Sequence, residues 1–219
     1  MLQKNSMSNA LNFYNAALGD QSSLYNGPEY YFYDPHIKGN AYFLDRNGFT
    51  AGSVNYDGIN YSGVQMLYDL YSEKIAVLLY NHFSKFSLLN ERVKSFHFLD
   101  HQFINLTPDS LGNSTVIKPG FYDLQYSGKS QVLVKWSKDI QATTGVASNP
   151  ENYFNLIERF YLKKNNTYYA ITSQGVLINV LKDKKKELQQ YIRDNQIKFR
   201  KGPEEAMVKI ASYYDHLTN

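Results

Sequence analysis

Between Ala51 and Tyr80 the chain alternates apolar and polar positions with a period of two, interrupted by tight-turn signals, which is the pattern of consecutive antiparallel strands. Asp57-Gly58 is the clearest of these turns, because both central positions of a two-residue hairpin loop need positive φ. With that loop, Tyr56 faces Ile59, Asn55 faces Asn60 and Val54 faces Tyr61. Val54, Tyr56, Ile59 and Tyr61 then share one face, and Ser53, Asn55, Asn60 and Ser62 the other; a slip of one residue would reverse the two faces. Val64 to Tyr71 continues the pattern with Val64, Met66, Tyr68 and Leu70 on one side. Ile75 to Tyr80 is apolar on both sides, which suits the centre of a sheet or a strand under a helix.

The same reasoning extends in both directions. Ser6 or Ser8 caps a first helix over residues 1–20 with the stripe Met7, Leu11, Tyr14 and Leu18, and Gly19 ends it. Tyr30 to Tyr33 and Ala41 to Leu44 read as short strands, with Asn47-Gly48 as a further hairpin turn. Arg92 to Phe98 and His101 to Leu106 pair about Leu99-Asp100, and Pro108 to Pro119 is a loop. Phe121 to Tyr126 and Gln131 to Trp136 pair about Ser127 to Lys129. Ser137 to Pro150 reads as a linker, being small, polar and poor in apolar residues. Asn152 to Lys163 and Thr167 to Thr172 pair about Asn165-Asn166, which brings Phe160, Leu162, Tyr169 and Ile171 together. A helix from Val176 to about Asn195 is broken near the lysines, and a last helix opens with Pro203 at its first position and Glu204 and Glu205 in its first turn.

The sum is a single α+β domain, mainly β: residues 25–172 form a curled antiparallel meander, a sandwich or an open barrel, with the N-terminal helix and the C-terminal helices of 174–219 packed on it. Four segments repeat tyrosine, small polar, glycine: Tyr25 to Gly27, Tyr56 to Gly58, Tyr61 to Gly63 and Tyr126 to Gly128. Their irregular spacing marks a reused turn, in which glycine supplies positive φ.

Composition narrows the chemistry. The 20 Tyr and 13 Phe against one Trp suit pleated, half-buried surfaces. Without cysteine there is no disulfide, thiol catalysis or Cys-bound zinc. No apolar run reaches the roughly 18 residues of a spanning helix, and MLQKNSMSNA has no apolar signal core, so the chain reads as cytoplasmic or as a form from which a signal peptide has been trimmed. A net charge of +3 does not argue for nucleic acid. The charge is uneven, since residues 151–219 hold 12 Lys/Arg against 8 Asp/Glu, and the run Lys184, Lys185, Lys186 reads as a solvated helix face.

Candidate sites are few. No nucleophile elbow, phosphate loop, dinucleotide fingerprint or HExxH motif occurs, and no cofactor is expected. His97 and His101 would suit one face of a helix as metal ligands, but the hairpin about Leu99-Asp100 puts them on opposite faces of a sheet, so no metal site is expected. Among the carboxylates Asp57, Asp69, Asp100 and Asp123, the residues Asp57 and Asp100 are accounted for by turns. Asp69, which follows Tyr68 in a strand, is the first candidate for acid/base work. Tyr68, Tyr71 and Trp136 are the candidate binding residues, as aromatics offering broad contact with a polar tip.

The segments LYNGPEY, GNAYFLDRNGFTAGSVNYDGINYSGVQMLYDLYSEKI, DKKKELQQYI and ASYYDHL together resemble a family of exported Bacteroidetes envelope proteins of unknown function. The resemblance implies a mature envelope protein, periplasmic or associated with the outer membrane, and carries no catalytic residue with it. The expectation is a non-catalytic protein that binds a protein partner, a glycan or a lipid; the alternative is a small glycosidase-like hydrolase using strand carboxylates.

Overall fold

The computed structural model describes residues 23–79, 81–112, 114–143 and 151–218. The first helix expected over residues 1–20 and the 144–150 part of the expected linker lie outside them. Among the described residues ten strands make one antiparallel sheet: β1 Thr50–Tyr56, β2 Ile59–Asp69, β3 Lys74–Leu78, β4 Lys85–Ser87, β5 Val93–Phe98, β6 His101–Leu106, β7 Gly120–Ser127, β8 Gln131–Ala142, β9 Asn152–Lys164 and β10 Thr167–Ile171. Their order is β10-β9-β8-β7-β6-β5-β1-β2-β3-β4, so the sheet is not closed. Three helices follow, α1 Gln174–Val180, α2 Lys185–Asp194 and α3 Pro203–Leu217. The fold is therefore α+β and mainly β.

The chain divides into two compact units, one of Met1–Asp100 with Ser137–Ile157 and one of His101–Trp136 with Glu158–Asn219. In the first unit the register about Asp57-Gly58 is Tyr56↔Ile59, Asn55↔Asn60, Val54↔Tyr61 and Ser53↔Ser62, as the alternation predicts. A bulge then shifts the register between Gly52 and Ser53. Val54, Tyr56 and Tyr61 are buried, but Ile59 is 38% exposed because it sits beside the turn. Ile75, Ala76 and Val77 of β3 are fully buried, in keeping with a strand apolar on both sides. Tyr68 packs edge-on against Phe96 at 5.1 Å between ring centres, and Phe43 lies against both Tyr68 and Phe98.

Several local expectations are corrected here. The strand expected over Tyr30 to Tyr33 is not formed, the neighbouring Glu29 making an isolated bridge with Phe86, and the strand expected over Ala41 to Leu44 gives way to a 3-10 turn, Phe43–Asp45, with Leu44 and Asp45 at positive φ. Of that expected strand only Tyr42 pairs, in an isolated antiparallel bridge with Asp69. Ser137 to Ala142 is not a linker but the second half of β8. Its polar composition hides an inward lysine: Lys138 is buried, and its Nζ donates to Asp45 Oδ1 at 2.6 Å and to the Asn40 carbonyl at 2.8 Å. Pro108–Leu111 is a helical turn within the expected loop, capped by the Thr107 side chain.

In the second unit the hairpin of β9 and β10 turns at Asn165 and Asn166, both at positive φ, and pairs Leu162 with Tyr169 and Phe160 with Ile171. These residues pack under the helices, where Leu162 and Ile171 meet Leu177, Leu188, Ile192, Met207 and Ile210. The helical segment breaks at Lys182–Lys184, a 3-10 turn between α1 and α2, and Lys185 and Lys186 are exposed. A second cluster, with Tyr122, Leu133, Tyr161 and Tyr168, also lies within this unit.

The recurrent tyrosine, polar, glycine turn has two physical causes rather than one. Gly58 and Gly63 sit at positive φ. Gly27 and Gly128 do not: a Cβ on Gly27 would run into the Ser87 carbonyl oxygen, and one on Gly128 into the Asp215 carboxylate and the Tyr126 hydroxyl.

Candidate functional site

Three polar centres stand out, one in the first unit and two in the second. Asp69 ends β2 and is fully buried. Its Oδ1 accepts from the backbone N–H groups of Tyr71 at 2.9 Å and Ser72 at 3.0 Å, fastening the turn into β3. Its Oδ2 accepts from the hydroxyls of Tyr30 at 2.8 Å, Tyr33 at 2.7 Å and Ser72 at 2.6 Å. Five donors thus surround one carboxylate, which is how a buried ion is kept at tolerable cost. Burial and the carboxylate beside them raise the hydroxyl pKa values of Tyr30 and Tyr33 above the ordinary tyrosine range. Tyr68, in the same strand, is buried in the core. Tyr71 is 44% exposed and makes edge-on contacts with Tyr33 at 5.3 Å and Phe154 at 5.8 Å.

The second centre gathers on neighbouring strands β6, β7 and β8. Asp123 is buried, and its Oδ2 lies 2.6 Å from His101 Nδ1, 2.6 Å from Gln125 Nε2 and 3.1 Å from Trp136 Nε1. The amide and indole N–H groups donate, and the imidazole completes the set at a buried carboxylate that holds its ring in one orientation. Trp136, a candidate from the sequence, is therefore a buried donor to Asp123. His97 is exposed on β5, and no group of three metal-ligating side chains comes together among the described residues.

The third centre is a groove of about 730 Å³ between the β9–β10 hairpin and the connection from α2 to α3. Phe160 and Ile171, paired across β9 and β10, line it with Phe199 from the connection, Tyr161 and Arg159 line it from the other face of β9, and Glu158 and Arg200 are exposed at it. Local sequence explains the connection: in Ile197-Lys198-Phe199-Arg200, the apolar members pack on the helical core while the basic ones face water. Hydrogen bonds from Ile197 N–H to the Ile192 carbonyl and from Lys201 N–H to the Lys198 carbonyl hold the turn, each at 3.0 Å. Arg159 and Arg200 form no side-chain hydrogen bond or ion pair among the described residues. Next to the groove, in the first turn of α3, burial pushes the Glu204 carboxyl up to about 7, helped by the negative charges of Glu158 and Asp123 and opposed by His101. Its Oε1 is buried with no hydrogen-bond partner.

The sequence reading missed this groove. Its one visible signal was the alternation of apolar and basic residues from Ile197 to Lys201, in a stretch that invites reading as the tail of a helix. No helix among the described residues is long and apolar enough to cross a membrane. The chain matches no protein-family model, no curated protein and no solved structure.

Proposed function

We propose that the protein is a non-catalytic binding protein whose ligand is an amphipathic anion of the lipid class, held in the groove of the second unit. The observation that carries this reading is a groove lined by Phe160, Ile171 and Phe199 together with two exposed arginines, Arg159 and Arg200, that have no acidic partner among the described residues. An apolar chain would lie against Ile171, Phe160 and Phe199, and its charged end would meet the guanidinium groups. The resemblance to exported envelope proteins supports a setting in the cell envelope. Titration with the fluorescent fatty acid 11-dansylaminoundecanoate tests the reading. Saturable one-site binding, weakened tenfold or more in the Arg159→Ala/Arg200→Ala variant, is the expected result; the absence of saturable binding overturns it.

One observation favours a hydrolase as the second reading. Glu204 keeps its proton to about pH 7 beside Glu158 on the groove rim, the division of labour between acid and base that carboxylate hydrolases use. Release of nitrophenol from aryl glycosides, abolished in Glu204→Gln, would support it, and inertness towards a panel of such substrates would remove it.

A further inference from the structure

A second groove, of about 710 Å³, adjoins the first and shares Thr172, Phe199 and Arg200 with it. To the shared residues it adds Lys198 and Lys201 on one side and Ser173 and Gln174 on the other, so that three cations and two hydroxyls border a wall that is still mainly apolar. None of the three cations makes a side-chain hydrogen bond or ion pair among the described residues, and all three are exposed. Glu205 on α3, which lines the adjoining surface with Lys198 and Lys201, is paired with Lys209 at 2.6 Å. A carboxylate carries one negative charge and two acceptor oxygens, which is less than three cations and a hydroxyl can satisfy. A phosphomonoester carries nearly two charges and three terminal oxygens.

Resting on the reading of the first groove as the site of the apolar chain, we propose that the adjoining groove binds the phosphate head group of that ligand, through Lys198, Arg200 and Lys201 with Thr172 as hydroxyl donor. The substrate class is then a phosphorylated amphiphile rather than a free fatty acid. The two grooves order the ligand: chain over Ile171 and Phe160, turn at Phe199, head group among the basic residues.

The test compares dodecyl phosphate, dodecanoate and inorganic phosphate, by calorimetry, on the full chain and on Lys198→Ala/Lys201→Ala. Both lysines are exposed, so the variant keeps the core intact. The expected result is dodecyl phosphate binding at least tenfold more tightly than dodecanoate, with the two equal in the variant and inorganic phosphate much weaker than either. If dodecanoate and dodecyl phosphate bind equally to the unaltered chain, the head-group assignment is overturned while the apolar groove stands. If neither amphiphile binds, the reading of the first groove falls with it. If inorganic phosphate binds as tightly as dodecyl phosphate, the basic groove is a site for free phosphate and the amphiphile is excluded.

Discussion

The hydroxyl of Tyr30 donates to Asp69 Oδ2 at 2.8 Å across 39 positions of sequence, tying an irregular segment to the end of a strand. Removing that hydroxyl by Tyr30→Phe is expected to cost about 1 kcal/mol, the usual net worth of one such bond. Asp69→Ala leaves five donors without their acceptor and is expected to cost about 3 kcal/mol or more. Urea denaturation of the two variants measures both. Equal losses would show that the other four bonds contribute nothing.

Trp136 is the only tryptophan of the chain, and its indole N–H donates to Asp123, so its fluorescence reports on that centre alone. Asp123→Asn offers one acceptor oxygen and places an amide among the His101, Gln125 and Trp136 donors. It is expected to shift the emission maximum and destabilise the fold by about 2 kcal/mol. An unchanged spectrum would show that the indole does not depend on the carboxylate.

The Glu204 carboxyl has a folded pKa of about 7, above the ordinary glutamate value of 4.5, so the folded state holds a proton that the unfolded state releases. Its contribution to stability is fully present below about pH 4.5 and is lost as pH rises through 7. Glu204→Gln, which mimics the protonated form, is expected to be more stable than the parent at pH 8 by about 1 kcal/mol after allowance for solvent screening, and equal to it near pH 4. Thermal melts at the two pH values give the answer, and a stability gain at pH 4 equal to that at pH 8 would contradict it.

Gly128, unlike Gly58, is required by close packing rather than by positive φ. Asp215, buried on α3, accepts from Ser130 N–H at 2.9 Å, Ser130 Oγ at 2.8 Å and the Tyr126 hydroxyl at 3.0 Å, all around the β7–β8 turn. Gly128→Ala places a methyl group inside this cluster and is expected to cost about 2 kcal/mol, whereas Gly58→Ala, with open space around it, is expected to cost about 1 kcal/mol from positive φ alone. Denaturation midpoints of the two variants rank the effects.

Much of the sheet was legible because its turns are written in residues that tolerate positive φ. Asp57-Gly58 and Asn165-Asn166 set registers that follow directly from the alternation on either side. Leu99 and Asp100 also take positive φ, although leucine gives little warning of it. What failed was where tertiary partners outvote local pattern. Ala41 to Leu44 has strand composition, yet Phe43 is drawn into the core and the backbone turns to follow it. Ser137 to Ala142 looks like a linker because the inward position at Lys138 is filled by a charge whose partners, Asp45 and Asn40, lie almost a hundred residues earlier. The sites divide in the same way. Asp69 could be singled out, but two of its five donors, Tyr30 and Tyr33, come from a segment almost forty residues earlier. The groove could not, because its lining is contributed by β9, β10 and the turn at Phe199 and Arg200 together.

The turn from Lys198 to Lys201 has a practical use beyond its charge. Its three basic residues are each a cleavage site for trypsin, and they stand exposed in a short connection between two helices. A head group seated among them would cover the very bonds the protease reads. Occupancy of the groove by such a ligand would be read as resistance to digestion at one known place, and the rate of appearance of the fragment beginning near Phe199 would measure its affinity without a label.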